Sequence, residues 1–185
     1  HQSVIDLASG KNIFSNKQGK PSKRFMHYIG GCQKYLPQAL PLMAPYVNSY
    51  RRFETSTNSS APTNISWGYD NRATGLRVPN CGPQDRRLEN RVVGVDCNPY
   101  LGIAASLACG YLGMMKEIWP SQSMKGEAYD EEDSEHEIPR SMYDALELFS
   151  EAPEIREILG EEFSRVYEVV KRTEYAEFLQ VISPW

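Results

Sequence analysis

The chain has 185 residues, 41% of them hydrophobic and 24% charged, proportions of one ordinary water-soluble domain. A domain of this size buries roughly 70% of the surface its unfolded chain exposes, so it needs neither disulfides nor a structural metal to fold. The formal net charge of −4 excludes a chain-wide electrostatic footprint for nucleic acid, and any anion site must be local.

Cys32, Cys81, Cys97 and Cys109 form no C-x-x-C pair, and only His1, His27 and His136 are available to complete a zinc set. Reduced thiols in a cytoplasmic protein follow from that usage. The weakly polar run Tyr100 to Met115 is shorter than the ~20 apolar residues that span a bilayer, and three glycines interrupt it, so no membrane partner is expected. No basic and apolar leader opens the chain, which makes the sequons at Asn58 and Asn64 chance occurrences. A histidine at position 1 and an apolar ending after a helical pattern lead to the expectation of a piece of a longer protein.

From Ser22, the residues Phe25, Tyr28, Ile29, Cys32, Tyr35 and Leu36 recur at helical spacing, and Pro37 breaks the pattern or opens a second helix, predicting two short helices that end near Pro45. The run from Glu54 to Ser60 lacks periodicity and is predicted to be a surface loop. Thr63–Trp67, Gly75–Val78 and Arg87–Val93 read as short antiparallel strands, separated by turns at Asp70-Asn71 and at residues 79–83. Asn98-Pro99 is a cap followed by proline at the first helical position, and the small residues after it predict a helix that approaches its neighbour closely. Residues 121–138, with Asp130-Glu131-Glu132-Asp133, read as a solvated loop. Ser141 with Asp144 resembles a capping box for Met142 to Ser150, and a last amphipathic helix gathers Phe163, Val166, Val169, Val170, Phe178 and Ile182 on one side. The fold class is α+β, a curved antiparallel sheet with helices packed outside it.

Along a strand, residues two apart share a face and lie ~6.6 Å apart, so Arg87, Glu89 and Arg91 project together. Each guanidinium is a permanent planar fork for phosphate or carboxylate, and a glutamate between them can hold a divalent metal. Arg51, Arg52, Arg72 and Arg77 are close enough in sequence to converge on the same sheet. From spacing alone, a charge ladder on a solvated face accounts for the same pattern. Gly19-Lys20-Pro21 lacks the rest of a P-loop, and no G-x-G-x-x-G occurs. Met114, Met115, His27 and His136 read as structural or surface residues.

Asn48-Ser49-Tyr50-Arg51-Arg52, Asn71-Arg72-Ala73-Thr74-Gly75-Leu76-Arg77-Val78-Pro79, Arg86-Arg87-Leu88-Glu89-Asn90-Arg91 and Asn98-Pro99-Tyr100-Leu101 resemble the glutamine synthetase family in order and spacing. His1-Gln2-Ser3 resembles the end of that family's H-x-H-x-S segment. The resemblance covers residues 1–185 as the C-terminal portion of the catalytic domain. It implies that the N-terminal β-grasp domain and the first part of the catalytic domain, with most metal-binding carboxylates, lie outside this sequence. It further implies an ATP-dependent ligase that phosphorylates the γ-carboxylate of glutamate and lets an amine displace phosphate, with Mg2+ or Mn2+ and homo-oligomeric stacked rings.

Carried over residue by residue, the resemblance makes Glu89 a metal ligand. Arg91, Arg52 and His1 become substrate-binding residues, and Arg52, Arg72 and Arg77 catalytic ones. Arg72, Arg77, Arg87, His1 and Ser3 then fall at the nucleotide. Two departures stand out. Glutamine synthetases proper place a loop glutamate before an Ala-Pro pair; here Ser60 precedes Ala61-Pro62, and a hydroxyl supplies no negative charge for an ammonium pocket unless Glu54 swings in. That departure resembles the branch that couples glutamate to amines such as putrescine. The second is Gln84, where many relatives carry a lysine near the nucleotide. Tyr129-Asp130 resembles a segment that some bacterial members adenylylate. The alternatives are a glutamine synthetase using ammonium, a catalytically silent member, and a polyanion binder, which the net charge opposes.

Overall fold

Ser22 begins the first helix, α1 (Lys23–Tyr35), because its side chain accepts the Phe25 N–H at 3.1 Å while donating to the Ile13 carbonyl at 2.6 Å. The structure is a computed structural model that describes residues 1–53, 61–126 and 136–182. After α1 the chain forms two 3-10 turns, Leu40–Leu42 and Val47–Phe53, in place of the second short helix predicted there. Pro37 and Pro41 each remove a backbone donor, which leaves too few i→i−4 bonds for an α-helix.

Among the described residues three strands make the sheet: β1 (Trp67–Tyr69), β2 (Leu76–Val78) and β3 (Glu89–Asn90), in that spatial order. The β2–β3 pair is antiparallel, with Arg77 opposite Glu89 and Leu76 opposite Asn90. The β1–β2 pair runs parallel, correcting the prediction of antiparallel strands throughout. Two bonds are closed within the loop between them, while Asn71 Nδ2 also reaches the Gly126 carbonyl at 2.8 Å. Asn71 Oδ1 accepts the Ala73 N–H at 2.9 Å and Thr74 Oγ1 donates to the Asn71 carbonyl at 3.0 Å, so the chain loops back to the start of β1 instead of folding onto it. Thr63–Trp67 is a strand only at its last residue, although Ile65 N–H bonds the His136 carbonyl at 2.8 Å. The predicted Arg87–Val93 strand is cut short because the Val92 N–H is taken by the side chain of Asn90, at 2.9 Å. Gln2 extends the sheet by an antiparallel bridge to Leu88, with bonds of 2.8 and 2.9 Å.

The second helix, α2 (Pro99–Met115), starts where Asn98 accepts the Tyr100 N–H at 3.0 Å. It lies against α1 backbone to backbone, as its small residues predict. A Cβ on Gly113 would sit 2.2 Å from the His27 carbonyl oxygen, and one on Gly31 2.4 Å from that of Cys109. Its other side leaves Tyr100, Ile103, Leu107 and Tyr111 exposed.

Ser141 caps α3 (Met142–Ser150) as predicted, accepting the Asp144 N–H at 3.1 Å and donating to its carboxylate at 2.7 Å. Pro153 then opens α4 (Pro153–Leu159), which the sequence reading did not separate, and Gly160, at φ 95°, turns the chain into α5 (Glu161–Leu179). The apolar set predicted to pack from α5 faces outward instead: Phe163, Val166, Val169, Val170, Phe178 and Ile182 are all exposed. Ser164 and Lys171 are buried in their place, with Tyr167 and Tyr175 beside the core. Tyr167 donates to the Pro41 carbonyl at 2.9 Å, and the Lys171 ammonium lies 4.7 Å over the Tyr46 ring. Amphipathic side chains do the packing here, with apolar stems inside and polar tips bonded.

The α1–α2 contact predicts that Gly113→Ala, which forces a methyl group into a backbone carbonyl, costs about 3 kcal/mol. Urea unfolding measures it, and exposed Ala104→Ser as a control shifts stability by less than about 0.5 kcal/mol. Equal midpoints for the two variants contradict the close approach.

An ionic cluster ties α5 to α3 and α4: Glu168 receives Arg156 at 2.7 Å and Arg172 at 2.9 Å, and Arg172 also reaches Glu147 at 2.7 Å. Burial pushes the Glu168 carboxyl up, but hydrogen bonds from Arg156 and Arg172, reinforced by their charges, prevail and hold it below the ordinary glutamate range. A lowered folded-state value gives stabilisation that is present above the ordinary range and lost as pH falls through the folded value. Glu168→Gln therefore costs about 1–2 kcal/mol at pH 7, and denaturant midpoints of the two proteins converge as the pH is lowered toward 3. A gap that stays constant with pH contradicts the assignment.

Candidate active site

Antiparallel pairing places Arg77 directly across from Glu89, and the two-residue period of the chain returns Arg91 to the same face. The carboxylate of Glu89 lies between the two forks: Arg77 Nη1 is 2.7 Å from Oε2 and Arg91 Nη1 is 3.0 Å from Oε1. These three side chains are only 16–17% exposed. His1 joins them from the neighbouring bridge, with Nε2 3.7 Å from Glu89 Oε2. Burial raises the Glu89 carboxyl, yet hydrogen bonds from Arg77 and Arg91 and their charges outweigh it and keep the group below its ordinary range, ionised at neutral pH. Arg77 is held charged by Asp70 first and Glu89 second.

Asp70 is the residue the sequence reading missed. It sits at φ 48°, and its carboxylate meets Arg77 Nη2 on the side away from Glu89. The available signal was its place in an Asp-Asn turn next to Arg72, since short polar side chains tolerate the left-handed region. Asp70, Arg72 and Arg77 share an open cleft of about 730 Å³ with Tyr69 and Lys125. Arg72 is exposed along this cleft, so β2 and the preceding turn bring it and Arg77 to one surface.

The other predicted residues lie elsewhere. Arg87 shares the spacing of Glu89 and Arg91, but its Nη1 turns back to the Asp85 carbonyl at 3.0 Å. The guanidinium of Arg52 is spent on backbone: Nη2 donates to the Val92 carbonyl at 2.7 Å and to that of Met43 at 3.4 Å, and the group stacks 4.2 Å over the Phe53 ring. Burial lowers its pKa, with Asp96 opposing. Ser3 is exposed beside the Gln2–Leu88 bridge. Gln84 reaches the Gly10 carbonyl at 3.1 Å, and His27 packs edge-on to Trp119. Glu54, Ser60, Tyr129 and Asp130 lie outside the described residues.

What this arrangement offers chemically is one hard oxygen donor, one imidazole and converging guanidiniums. Glu89 fits a divalent cation as a single ligand with His1 alongside. Among the described residues no three His, Cys, Asp or Glu side chains gather into a complete cation site. The guanidiniums fit an anion: Arg77 and Arg72 face an open cleft, and planar forks suit phosphate or carboxylate oxygens.

The family described as "Glutamine synthetase, catalytic domain" matches residues 1–185. Type-1 glutamine synthetase 2 of Dictyostelium discoideum is 36% identical over 100% of this chain, and gamma-glutamylputrescine synthetase PuuA of Escherichia coli is 37% identical over 94% of it. The ligand-free structure of GmaS superposes with a TM-score of 0.85 at 28% identity over 99% of the chain. The chain spans 36% of each of those two relatives and 42% of the GmaS chain. With its whole length matched by that family, the chain belongs to the glutamine synthetase family.

Proposed function

We propose that the full-length protein joins the γ-carboxylate of glutamate to an amine, such as putrescine, at the expense of ATP. The observation that carries this reading is the Arg77–Glu89–Arg91 cluster with His1 beside it, set in a chain of this family. The chain contributes the C-terminal part of a catalytic domain whose earlier part and β-grasp domain lie outside it. The outward apolar side of α2 fits that, since a helix apolar on both sides is one that is covered on both. Cytoplasmic, ring-shaped homo-oligomers belong to the same proposal.

In the first step a γ-carboxylate oxygen of glutamate attacks the γ-phosphorus of ATP, the bond to the bridging oxygen breaks, and ADP leaves. The amine nitrogen then attacks the acyl carbon, and phosphate departs as the amide forms. Such chemistry is mostly positioning and charge stabilisation. Arg72 and Arg77 neutralise the phosphoryl oxygens from the open cleft. Arg91 holds the glutamate carboxylate. His1, Ser3 and Arg87 lie on the nucleotide side. Glu89 supplies one ligand to Mg2+ or Mn2+, which when bound offsets phosphate charge. Arg52 serves the strand carrying Arg91, since it clamps the carbonyl of the next residue.

Ser60 before Ala61-Pro62 favours an amine over ammonium as nitrogen donor, because a hydroxyl supplies no negative charge there to hold an ammonium ion. Phosphate release by the full-length protein with ATP, Mg2+ or Mn2+ and glutamate is therefore faster with putrescine than with ammonium, and the 185-residue chain alone shows none. Equal or better turnover with ammonium makes the protein a glutamine synthetase, and loss of nucleotide binding in the full-length protein makes it a silent member.

The position of Arg52 gives a second expectation. Arg52→Ala removes a half-buried cation and leaves the Val92 carbonyl without its donor, lowering stability by about 2–4 kcal/mol. A thermal shift measures this, and a variant with unchanged melting but a raised KM for glutamate instead returns Arg52 to direct substrate contact.

A further inference from the structure

We propose that Lys125 is a further binding residue for the phosphate chain of ATP, carried to the cleft of Arg72 and Arg77 by a backbone strap that lies across β1; this deepens the ligase reading and rests on it for the nucleotide. The strap is residues 121–126, and its start is fixed at Ser121. The Ser121 N–H donates to Gln33 Oε1 at 2.9 Å, Gln33 Nε2 donates to Ser121 Oγ at 3.0 Å, and Trp67 Nε1 donates to the Ser121 carbonyl at 2.9 Å. Gln33 is 2% exposed and Trp67 3%, so water offers their polar groups no easy alternative and the anchor is costly to release.

Two more bonds bracket Lys125. On one side the Met124 N–H donates to the Trp67 carbonyl at 2.8 Å, and on the other Asn71 Nδ2 donates to the Gly126 carbonyl at 2.8 Å. Gly68 makes the approach possible, since a Cβ there would lie 2.8 Å from the Met124 carbonyl oxygen. With both neighbours tied to β1 and its turn, the backbone of Lys125 is held in place. Its side chain lines the same cleft as Asp70, Arg72 and Arg77, so that β1, the turn and β2 form one wall and the strap forms the other.

The charges in this cleft do not balance. Arg72, Arg77 and Lys125 face one carboxylate, Asp70, which Arg77 already engages. Arg72 and Lys125 are exposed, and among the described residues neither forms an ion pair. A cleft of about 730 Å³ has the volume of a small-molecule site, and its excess of cations suits a chain of phosphates better than a single carboxylate. The two kinds of cation divide the work. Planar guanidinium forks fix the direction of the oxygens they meet, whereas an ammonium on a flexible four-carbon stem is a point charge that follows a phosphate as it moves.

Calorimetry on the full-length protein in saturating Mg2+ tests this, with ATP, inorganic tripolyphosphate and adenosine as probes. Lys125→Gln weakens ATP and tripolyphosphate binding about tenfold, the scale of a lost charge-assisted hydrogen bond, and leaves adenosine binding unchanged. Lys125→Arg, which keeps the charge, stays within about threefold of wild type. Lys11→Gln, which removes the same charge from an exposed residue in a different cleft, leaves all three affinities unchanged. Lys125 is exposed, so circular dichroism and the unfolding midpoint of Lys125→Gln match wild type. Affinities within twofold of wild type for Lys125→Gln overturn the proposal, as does an equal loss for Lys11→Gln, which reduces the effect to net charge. A loss for tripolyphosphate with ATP unchanged overturns it too, making the strap a general anion contact apart from the nucleotide. A wild-type protein that binds neither ATP nor tripolyphosphate overturns both this proposal and the ligase reading. One that shows the expected binding pattern but releases no phosphate with any amine overturns the ligase reading alone.

Discussion

The register between β2 and β3 is the constraint from which the site follows. Side chains alternate along a strand, so a slip of one residue would put the Asn90 amide among the guanidiniums and the Glu89 charge against Met43 and Ser106. A two-residue ladder is too short to enforce this by itself. The register is pinned from its ends: Arg91 N–H bonds the Gly75 carbonyl at 2.9 Å, the Asn90 side chain stops the strand at Val92, and Leu88 is held by Gln2. The shortness of β3 is thus part of the design, because the residue that ends it also orients the backbone that carries Arg91.

Arginine recurs at this surface for a physical reason. A lysine ammonium is a point charge, whereas one guanidinium of Arg77 meets Glu89 with one nitrogen and Asp70 with another. The two carboxylates are not equivalent: Glu89 is 16% exposed and Asp70 58%. The exposed partner contributes little to stability and is screened by salt. Under the ligase reading, a phosphate oxygen competes with Asp70 for the outer edge of Arg77, while Glu89 continues to fix the inner edge. Asp70 then keeps the guanidinium oriented toward the cleft when no phosphate is there.

Local chemistry was legible in the sequence wherever a short motif decides the structure. The caps at Asn98 and Ser141 form as their neighbours require, and the spacing of Glu89 and Arg91 places both on one face. Features set by long-range contact were not. Nothing in the alternation of Trp67–Tyr69 distinguishes a parallel from an antiparallel partner; the loop bonds of Asn71 and Thr74 decide it. The apolar stripe of α5 has the right period for a core face, but Tyr167, Lys171 and the Arg156–Glu168–Arg172 cluster occupy the inner side. Spacing grouped Arg87 with Glu89 because it counts residues along an ideal strand, and the strand begins only at Glu89, leaving Arg87 free to fold back on Asp85.

Tyr28 connects the packing of the helices to the site. A Cβ on Gly110 would lie 2.2 Å from two ring atoms of Tyr28, so the ring lies directly on the backbone of α2 and its orientation is dictated by how closely the two helices approach. The hydroxyl at the far end of that rigid ring reaches Gln2 at 3.0 Å. A phenol has no torsion that could move its oxygen off the ring axis, so a change in helix separation is carried to Gln2 without being absorbed on the way. The glycines of α1 and α2 therefore do more than permit close packing: by fixing the height of the Tyr28 hydroxyl, they fix where the opening segment crosses Leu88 and how near His1 comes to Glu89.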